Sequence, residues 1–271
     1  EKVHKSRLLI FSIFAIIGFA TCIGLVLSAA GRFPDLWDLL RGVMSSVLAL
    51  LFAVIILDNI NAHSDNKKKK REERKAIIRH NKIIQPVVDL YIIRKNMVIT
   101  PNDKKVRKFK INAKFTIKDM RDMFGPSELI SDVGKSKIEV YSFYQEKLHD
   151  KFIHLVEDVD FNVYSDLCDA AMDYINATSY GSSALDAVVG YQKTMAGTKS
   201  MKSIVINMIR DEPENGKFID APPALKNVYL VHQMINEQEV ALSKYLKTVQ
   251  DMLAEDSKEK GRNTESEIDY E

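Results

Sequence analysis

The stretch that most constrains this chain is residues 43–71, where an apolar run leads into a block of basic residues. Val43 to Leu57 contains no charged residue and no proline, and the block that follows is Lys67, Lys68, Lys69, Lys70 and Arg71. An apolar segment bordered by lysines is typical of a membrane helix whose basic end lies at the cytoplasmic face. We therefore predict a transmembrane span over residues 43–61 and contacts between the five basic residues and lipid headgroups.

An earlier apolar run, residues 8–30, has 23 residues without a charge. At about 1.5 Å per residue it covers about 34 Å, enough for a hydrocarbon core of about 30 Å. Lys2, Lys5 and Arg7 precede it and favour a cytoplasmic start. The sequence thus predicts a two-helix transmembrane hairpin over residues 8–62, after a cytoplasmic N-terminus at residues 1–7. A cleaved signal peptide is the alternative for the first run.

Both predicted spans carry a small residue at every fourth position, which lets helix backbones approach closely in lipid. These positions are Ala20, Gly24, Ser28, Ser45, Ala49 and Ala53. The two stripes favour packing of one span against the other, and they are also compatible with assembly of several hairpins into an oligomer.

Charge is distributed unevenly along the rest of the chain. Residues 63–114 carry 17 Lys and Arg against 5 Asp and Glu, a net charge of +12, whereas residues 115–254 carry 14 against 21, a net charge of −7. The basic part is suited to anionic lipid headgroups. Nucleic acid is a less suitable partner, because few aromatic side chains that could stack on bases lie among the basic residues. The two cysteines, Cys22 and Cys168, predict no disulfide framework.

Residues 63–97 have the apolar spacing of a basic juxtamembrane helix, which Pro86 is predicted to kink or restart. Residues 98–135 follow as a basic linker that ends with a short helix near residues 117–124. Apolar and polar residues alternate from Phe109 to Ile117, which predicts a strand. This strand could pair with Met97–Thr100 as a short β-hairpin.

Residues 136–255 have the three-four spacing of a helical bundle, with predicted helices at 136–159, 162–176, 182–210 and 224–254. In the last helix the apolar positions form a continuous seam that we predict to contact a partner protein or a second copy. The seam includes His232, Ile235, Glu239 and Leu242. Residues 256–271 are polar and are predicted to form a disordered tail.

Patterns that would indicate catalysis are weak in this sequence. Glu146 and His149 have a Glu-x-x-His spacing, but a carboxylate-bridged metal site needs a second such motif and two further glutamates. Arg74 and His80 frame five residues, a loose spacing found in some ribonucleases and common by chance. Neither pair predicts an active site.

Asp166, Asp169 and Asp173 form an acidic stripe on one helix face. The stripe is typical of a solvated helix face, although a cation or a basic partner could also occupy it. We predict no catalytic residue, no metal and no cofactor.

The sequence therefore predicts a mainly α protein of a bacterial inner membrane, multi-pass, with both termini and a helical bundle in the cytoplasm. Its predicted role is a protein-interaction, scaffold or regulatory module and not an enzyme. One alternative is a membrane-perturbing effector of toxin or phage-defence type, whose hairpins oligomerise on a trigger. The other is a membrane-tethered nuclease or metal enzyme.

Overall fold

The computed structural model describes residues 18, 22–24, 26, 36–104, 111, 114–127, 132–213 and 218–268. For residues 36–44, 47 and 256–268 it describes the backbone alone. Over these residues the protein is mainly helical, as the sequence predicts, with a small two-stranded sheet. The chain divides into two units, residues 1–69 and residues 70–271, and each is treated by itself below.

The helices of the described chain are numbered from Leu36. Helix α1 is Leu36–Val98, α2 is Lys137–Asp158, α3 is Ser165–Gly190, α4 is Met201–Asp211 and α5 is Pro223–Ile268. Short 3-10 helices cover Ile117–Met120 and Phe218–Asp220. Between α3 and α4, strand β1 (Met195–Ala196) pairs antiparallel with β2 (Lys199–Ser200). Gly197, with φ of 62°, makes the turn, a backbone conformation that glycine adopts without a steric penalty.

The first unit contains the start of α1. Within the described residues, one helical stretch, Leu48–Val98, is long and apolar enough to cross a membrane by length and composition. Most of the earlier predicted span, residues 8–30, lies outside the described residues. The part of it that is described, Gly18, Cys22–Gly24 and Val26, is helical. The two-helix hairpin is therefore still a prediction.

In the second unit, α2, α3 and α5 pack around the end of α1. Their inward faces are formed by large apolar and aromatic side chains that are almost completely buried, including Ile84, Tyr91, Tyr141, Phe152, Tyr174, Ile235, Leu242 and Tyr245. Pro86 lies inside α1 on its exposed side, and the helix continues through it instead of restarting. An exposed proline leaves the carbonyl that loses its hydrogen bond open to water, which lowers the cost of keeping it there.

The start of α2 agrees with the prediction from sequence. The Ser136 hydroxyl accepts a hydrogen bond from the Glu139 backbone N–H at 3.3 Å, and the Glu139 carboxylate accepts one from the Ser136 N–H at 2.8 Å. This reciprocal capping box satisfies two backbone donors at the helix end. The hydrogen bond from the Ser136 backbone holds the pKa of Glu139 below its usual value.

Two of the predicted bundle helices are joined differently in the structure. Most of 162–176 and the beginning of 182–210 belong to the single helix α3, Ser165–Gly190, which continues through Gly181 and Ser182. Gly181 packs against Met234 of α5, where a Cβ would lie only 2.5 Å from the Met234 sulfur. This glycine therefore permits close helix packing and does not end a helix, and the chain breaks later, at the β1–β2 turn.

The described part of the predicted β-hairpin near residues 97–117 contains no strand. Met97 and Val98 complete α1, residues 114–116 have no regular structure, and Ile117 begins a 3-10 helix. Met97, Val98 and Ile99 are buried, so the apolar face of α1 continues into the core and keeps this segment helical. Of the alternating stretch, residues 109, 110, 112 and 113 lie outside the described residues.

Helix α5 is longer than expected. Its backbone stays helical from Pro223 to Ile268, whereas the sequence predicts a disordered tail from Asp256. The segment contains no proline and is rich in Glu and Lys, which have good helix propensity. The low apolar content that suggests disorder therefore does not prevent the helix from continuing.

Candidate functional site

The first candidate site is the apolar segment of α1 in the first unit. Leu50 and Phe52 are exposed on opposite sides of the helix, and Phe52 has 64% of its surface exposed. Leu48, Ile55, Leu57 and Ile60 are exposed as well. A helix that is apolar all round is typical of a membrane span or of a segment covered by another protein.

The small residues of this segment lie on its surface. Ser45, Ala49 and Ala53 are all exposed. In the earlier run Gly24 is partly exposed, while Ala20 and Ser28 lie outside the described residues. These three residues therefore lie on the exposed surface of the second predicted span.

The basic block is divided between the two units. Lys67, Lys68 and Lys69 are exposed in the first unit. In the second unit Arg71 is exposed, but Lys70 forms an ion pair with Glu255 at 3.2 Å and lies 5.9 Å from the centre of the Tyr164 ring. Lys70 thus contributes to the bundle, and the predicted headgroup contact is best suited to the other four residues.

Glu73 joins α1 to the beginning of α3. Its carboxylate accepts hydrogen bonds from three consecutive backbone N–H groups, those of Asn162, Val163 and Tyr164, at 2.8–3.2 Å. Tyr164 is the N-cap of α3 and has no capping side chain of its own. Glu73 therefore supplies from another helix the negative charge and the acceptors that a helix N-terminus requires.

The predicted interaction seam of α5 lies in the bundle core. Ile235 and Leu242 are completely buried, Glu239 is nearly so, and His232 is partly buried. These residues contact the other helices of the same chain, so the seam is an internal contact and not the partner-facing surface expected from sequence. The period of three and four identifies a buried face, but it does not distinguish burial within a chain from burial between chains.

A polar network crosses this core, centred on Gln238. The Gln238 carbonyl accepts hydrogen bonds from the Tyr91 hydroxyl at 2.9 Å and the Tyr141 hydroxyl at 2.7 Å. Its amide nitrogen donates to the Thr178 hydroxyl at 2.7 Å and to Gln145 at 3.3 Å. Burial raises the pKa of both tyrosines well above the ordinary value, so they stay protonated and donate. The network links α1, α2, α3 and α5 and is structural.

Next to it, Lys95 of α1 forms a buried ion pair with Glu239 of α5. Burial lowers the pKa of Lys95 from its usual value, and Glu239 opposes that effect. Removing one partner of such a buried ion pair is costly, because the other charge stays buried without a counter-charge or water. Glu239 is thus a contact within the bundle.

His232 lies beside a cleft of about 690 Å³ between α5 and the chain around Phe115. Its Nε2 is 3.1 Å from the Phe115 carbonyl oxygen, and the two rings are 4.7 Å apart. Burial lowers the pKa of His232, against the effect of the Phe115 hydrogen bond. The imidazole is therefore neutral at pH 7 and donates from Nε2 to the carbonyl.

The residues considered for nuclease chemistry have structural contacts. Arg74 is buried, and its guanidinium lies 3.4 Å from both the Met252 carbonyl and the Glu255 carboxylate. His80 lies 3.6 Å from Asp158. These contacts join α1 to α5 and to the end of α2, and they do not assemble a shared site for Arg74 and His80.

The residues considered for metal binding are also dispersed. Glu146 is exposed, and His149 lies 3.7 Å from Asp150 and 3.5 Å from the Ser179 hydroxyl. Within the described part of the chain, no group of three or more His, Cys, Asp and Glu side chains has the arrangement of a metal site. The structure thus adds nothing in favour of a metal enzyme.

A second candidate site is an exposed face formed by α3 and α5. One groove of about 670 Å³ lies between the two helices and is lined by Asp173, Tyr180 and Val240, among others. A second groove of about 550 Å³ shares Val240 and is lined also by Lys244 and Lys247. We call this surface the α3–α5 face. It combines exposed apolar side chains with both signs of charge.

Sequence reasoning missed Glu73, Gln238 and the α3–α5 face. Glu73 carries no motif, because its partners are backbone groups about 90 residues away. Gln238 lies next to Glu239 and belongs to no pattern that would single it out. The acidic stripe is the one sequence feature that indicates the α3–α5 face, because its last member, Asp173, lines the groove together with Asn176 and Ala177.

Comparison of this chain with protein-family models, with curated proteins and with solved structures found no match. The function must therefore be inferred from the residues described above.

Proposed function

We propose that this chain is a membrane-anchored helical protein whose bundle acts as a protein-interaction or regulatory module at the cytoplasmic face of the membrane. The observation that supports the proposal most directly is the apolar segment of α1, most of whose described side chains are exposed. Residues 43–61 would cover about 28 Å as a helix, close to the thickness of the hydrocarbon core. Transfer into lipid removes this apolar surface from water.

The orientation follows from the basic residues. Lysines and arginines next to a span favour the cytoplasmic side, so Lys67, Lys68, Lys69 and Arg71 would hold the bundle there. The same four residues would contact anionic headgroups, while Lys70 contacts Glu255.

The interaction role is supported by how the polar residues are used. Arg74, Glu73, Lys95 and Glu239 hold the bundle together, and the described residues contain no metal cluster. The α3–α5 face, by contrast, has exposed apolar side chains and is available for binding.

Cell fractionation tests the anchoring. We expect the full chain to sediment with membranes after high-salt and alkaline carbonate washes and to be released by detergent, with a reporter after Glu271 active in the cytoplasm. Recovery in the soluble fraction, or a reporter active only outside the cytoplasm, would contradict it.

In-cell cross-linking tests the interaction role, which fails if the chain is captured neither with itself nor with another protein.

A second candidate function is a membrane-perturbing effector, and exposure of Ser45, Ala49 and Ala53 favours it. Small residues on a membrane helix allow close helix association, as an oligomer of spans requires. Induced expression should then collapse the membrane potential, and Ala49→Leu should prevent the collapse. An unchanged potential during expression of the unsubstituted chain would exclude this role under those conditions.

A further inference from the structure

The α3–α5 face has two chemically different halves. On α3, Asp173 lines the groove, and Asp169 and Asp166 continue the same helix face one and two turns earlier; all three are exposed. On α5, Lys244 and Lys247 are one turn apart and line the adjoining groove. An acidic row and a basic pair thus lie side by side at the same end of the face.

The two helices are antiparallel, which sets the level of each residue. Lys244 lies 3.8 Å from Asp173, Thr178 bonds to Gln238, and Gly181 packs against Met234. Asp169 and Asp173 are therefore level with Lys244 and Lys247. The Lys244–Asp173 pair is largely exposed, and such a pair adds only about 0–1 kcal/mol to the folded chain. Both partners are thus available for other contacts.

Apolar side chains lie further along the same face. Tyr180 on α3 is 68% exposed and Val240 on α5 is 67% exposed. Both line the first groove, and Ala177 and Ala241 form part of its wall. An exposed tyrosine and valine above small residues form a surface that another helix pair can cover.

We infer that the α3–α5 face binds a second copy of this chain, in a two-fold dimer whose axis runs along the two helices. In this arrangement α3 of one copy faces α5 of the other at the same level. The acidic row of each copy then meets the lysine pair of its partner, and the Tyr180 and Val240 regions cover each other. A two-fold axis in the plane of the face but perpendicular to the helices would instead place the acidic row against the other end of the partner's α3, where Ala177 and Tyr180 supply no positive charge.

The occupant is a second copy because the face complements itself. An isologous interface requires that one patch carry both halves of each contact, and the α3–α5 face does so for charge and for apolar surface. The inference deepens the proposed function, since it names the partner of the interaction module. It concerns the second unit alone, so it can fail while membrane anchoring holds.

Co-purification of two differently tagged full-length copies from detergent-solubilised membranes tests the dimer. We expect Lys244→Glu/Lys247→Glu to lose self-association by about tenfold or more, because both halves of the face become acidic. Asp169→Lys/Asp173→Lys should lose it equally, because both halves become basic. The two variants together should co-purify nearly as well as two unsubstituted copies, since acidic then meets basic on both sides.

The controls are matched charge reversals on α2. Lys147→Glu/Lys151→Glu and Glu146→Lys/Asp150→Lys change the same number of charges, with the two positions of each pair about one helical turn apart, and should leave self-association unchanged. Circular dichroism and thermal unfolding verify that every variant is folded. The proposal is overturned if unsubstituted copies do not co-purify, if the charge reversals on α3 and α5 have no effect, or if mixing the two variants restores nothing. If the chain is soluble but dimerises through this face, the membrane anchoring is contradicted and the dimer is supported.

Discussion

At the scale of single residues, Gly181 lets α3 and α5 pack closely against each other. A Cβ there would lie 2.5 Å from the sulfur and 2.7 Å from the Cβ of Met234, so α3 and α5 could not keep their spacing. We expect Gly181→Ala to lower the free energy of unfolding by about 1–3 kcal/mol from overpacking, partly offset by up to ~1 kcal/mol of helix propensity. Urea denaturation of the chain in mild detergent measures this change.

Gly190 is the matched control, because it is also in α3 and has no atom within 4 Å of the position of a Cβ. Gly190→Ala should leave stability unchanged or raise it by up to about 1 kcal/mol. Equal effects of the two substitutions would show that close packing at Gly181 is not the cause.

Glu73 acts through partners about 90 residues away in the chain. Removing its carboxylate leaves the N–H groups of Val163 and Tyr164 without their acceptor, while the Asn162 N–H keeps the Asp160 carbonyl at 3.1 Å, and α3 loses its cap. We expect Glu73→Ala to destabilise the chain by about 1–3 kcal/mol. Glu72→Ala, which changes an exposed neighbour, should have little effect. Similar unfolding midpoints for the two variants would contradict the capping role.

His232 makes stability depend on pH. Because burial lowers its pKa below the ordinary value of 6.5, the unfolded chain binds the proton more readily than the folded chain. The contribution of neutral His232 to the free energy of unfolding is therefore fully present above about pH 6.5. It is lost as the pH falls towards the pKa of His232 in the folded chain. We expect thermal unfolding between pH 7.5 and 5 to show a smaller loss for His232→Gln than for the unsubstituted chain. His154→Gln, at a position 61% exposed, is the control for removal of a histidine outside the core.

At the scale of elements, the bundle depends on polar contacts between helices as well as on its apolar core. Removing Lys95 alone leaves Glu239 buried without its counter-charge, and we expect Lys95→Met to cost about 3–5 kcal/mol. The double variant Lys95→Met/Glu239→Leu should recover most of that loss, because no uncompensated charge remains. Urea denaturation of both variants measures the difference. A double variant less stable than the single one would contradict a stabilising role for the ion pair.

The elements also show how much of the structure could be predicted from the sequence. The Ser136 cap, the buried face of α2 and the apolar face of α5 follow from local patterns, and the structure contains them. The continuity of α3 could not be predicted, because Gly181 is explained only by Met234, more than 50 residues away. The caps and polar contacts made by Glu73 and Gln238 join distant segments and leave no local signal. The seam on α5 could be identified from its period, but not the fact that the same chain covers it.

At the scale of the whole molecule, the proposed function depends on where the apolar segment of α1 lies. Most of its described side chains are exposed in the isolated chain, and the second unit already uses its own apolar residues to form a core. A bilayer would cover that segment and restrict the bundle to one side. It would also raise the local concentration of neighbouring copies and favour contacts through the α3–α5 face.

The most direct measurement is the labelling of single cysteines in intact membranes by a water-soluble maleimide, with Cys22 and Cys168 replaced by Ser. Ile55→Cys places the thiol within the apolar segment, and Ser64→Cys places it on an exposed position of the same helix beyond that segment. We predict that Ile55→Cys is protected until detergent is added, whereas Ser64→Cys reacts when the cytoplasmic side is accessible. Equal and rapid labelling of both positions without detergent would contradict the claim that this helix lies in lipid.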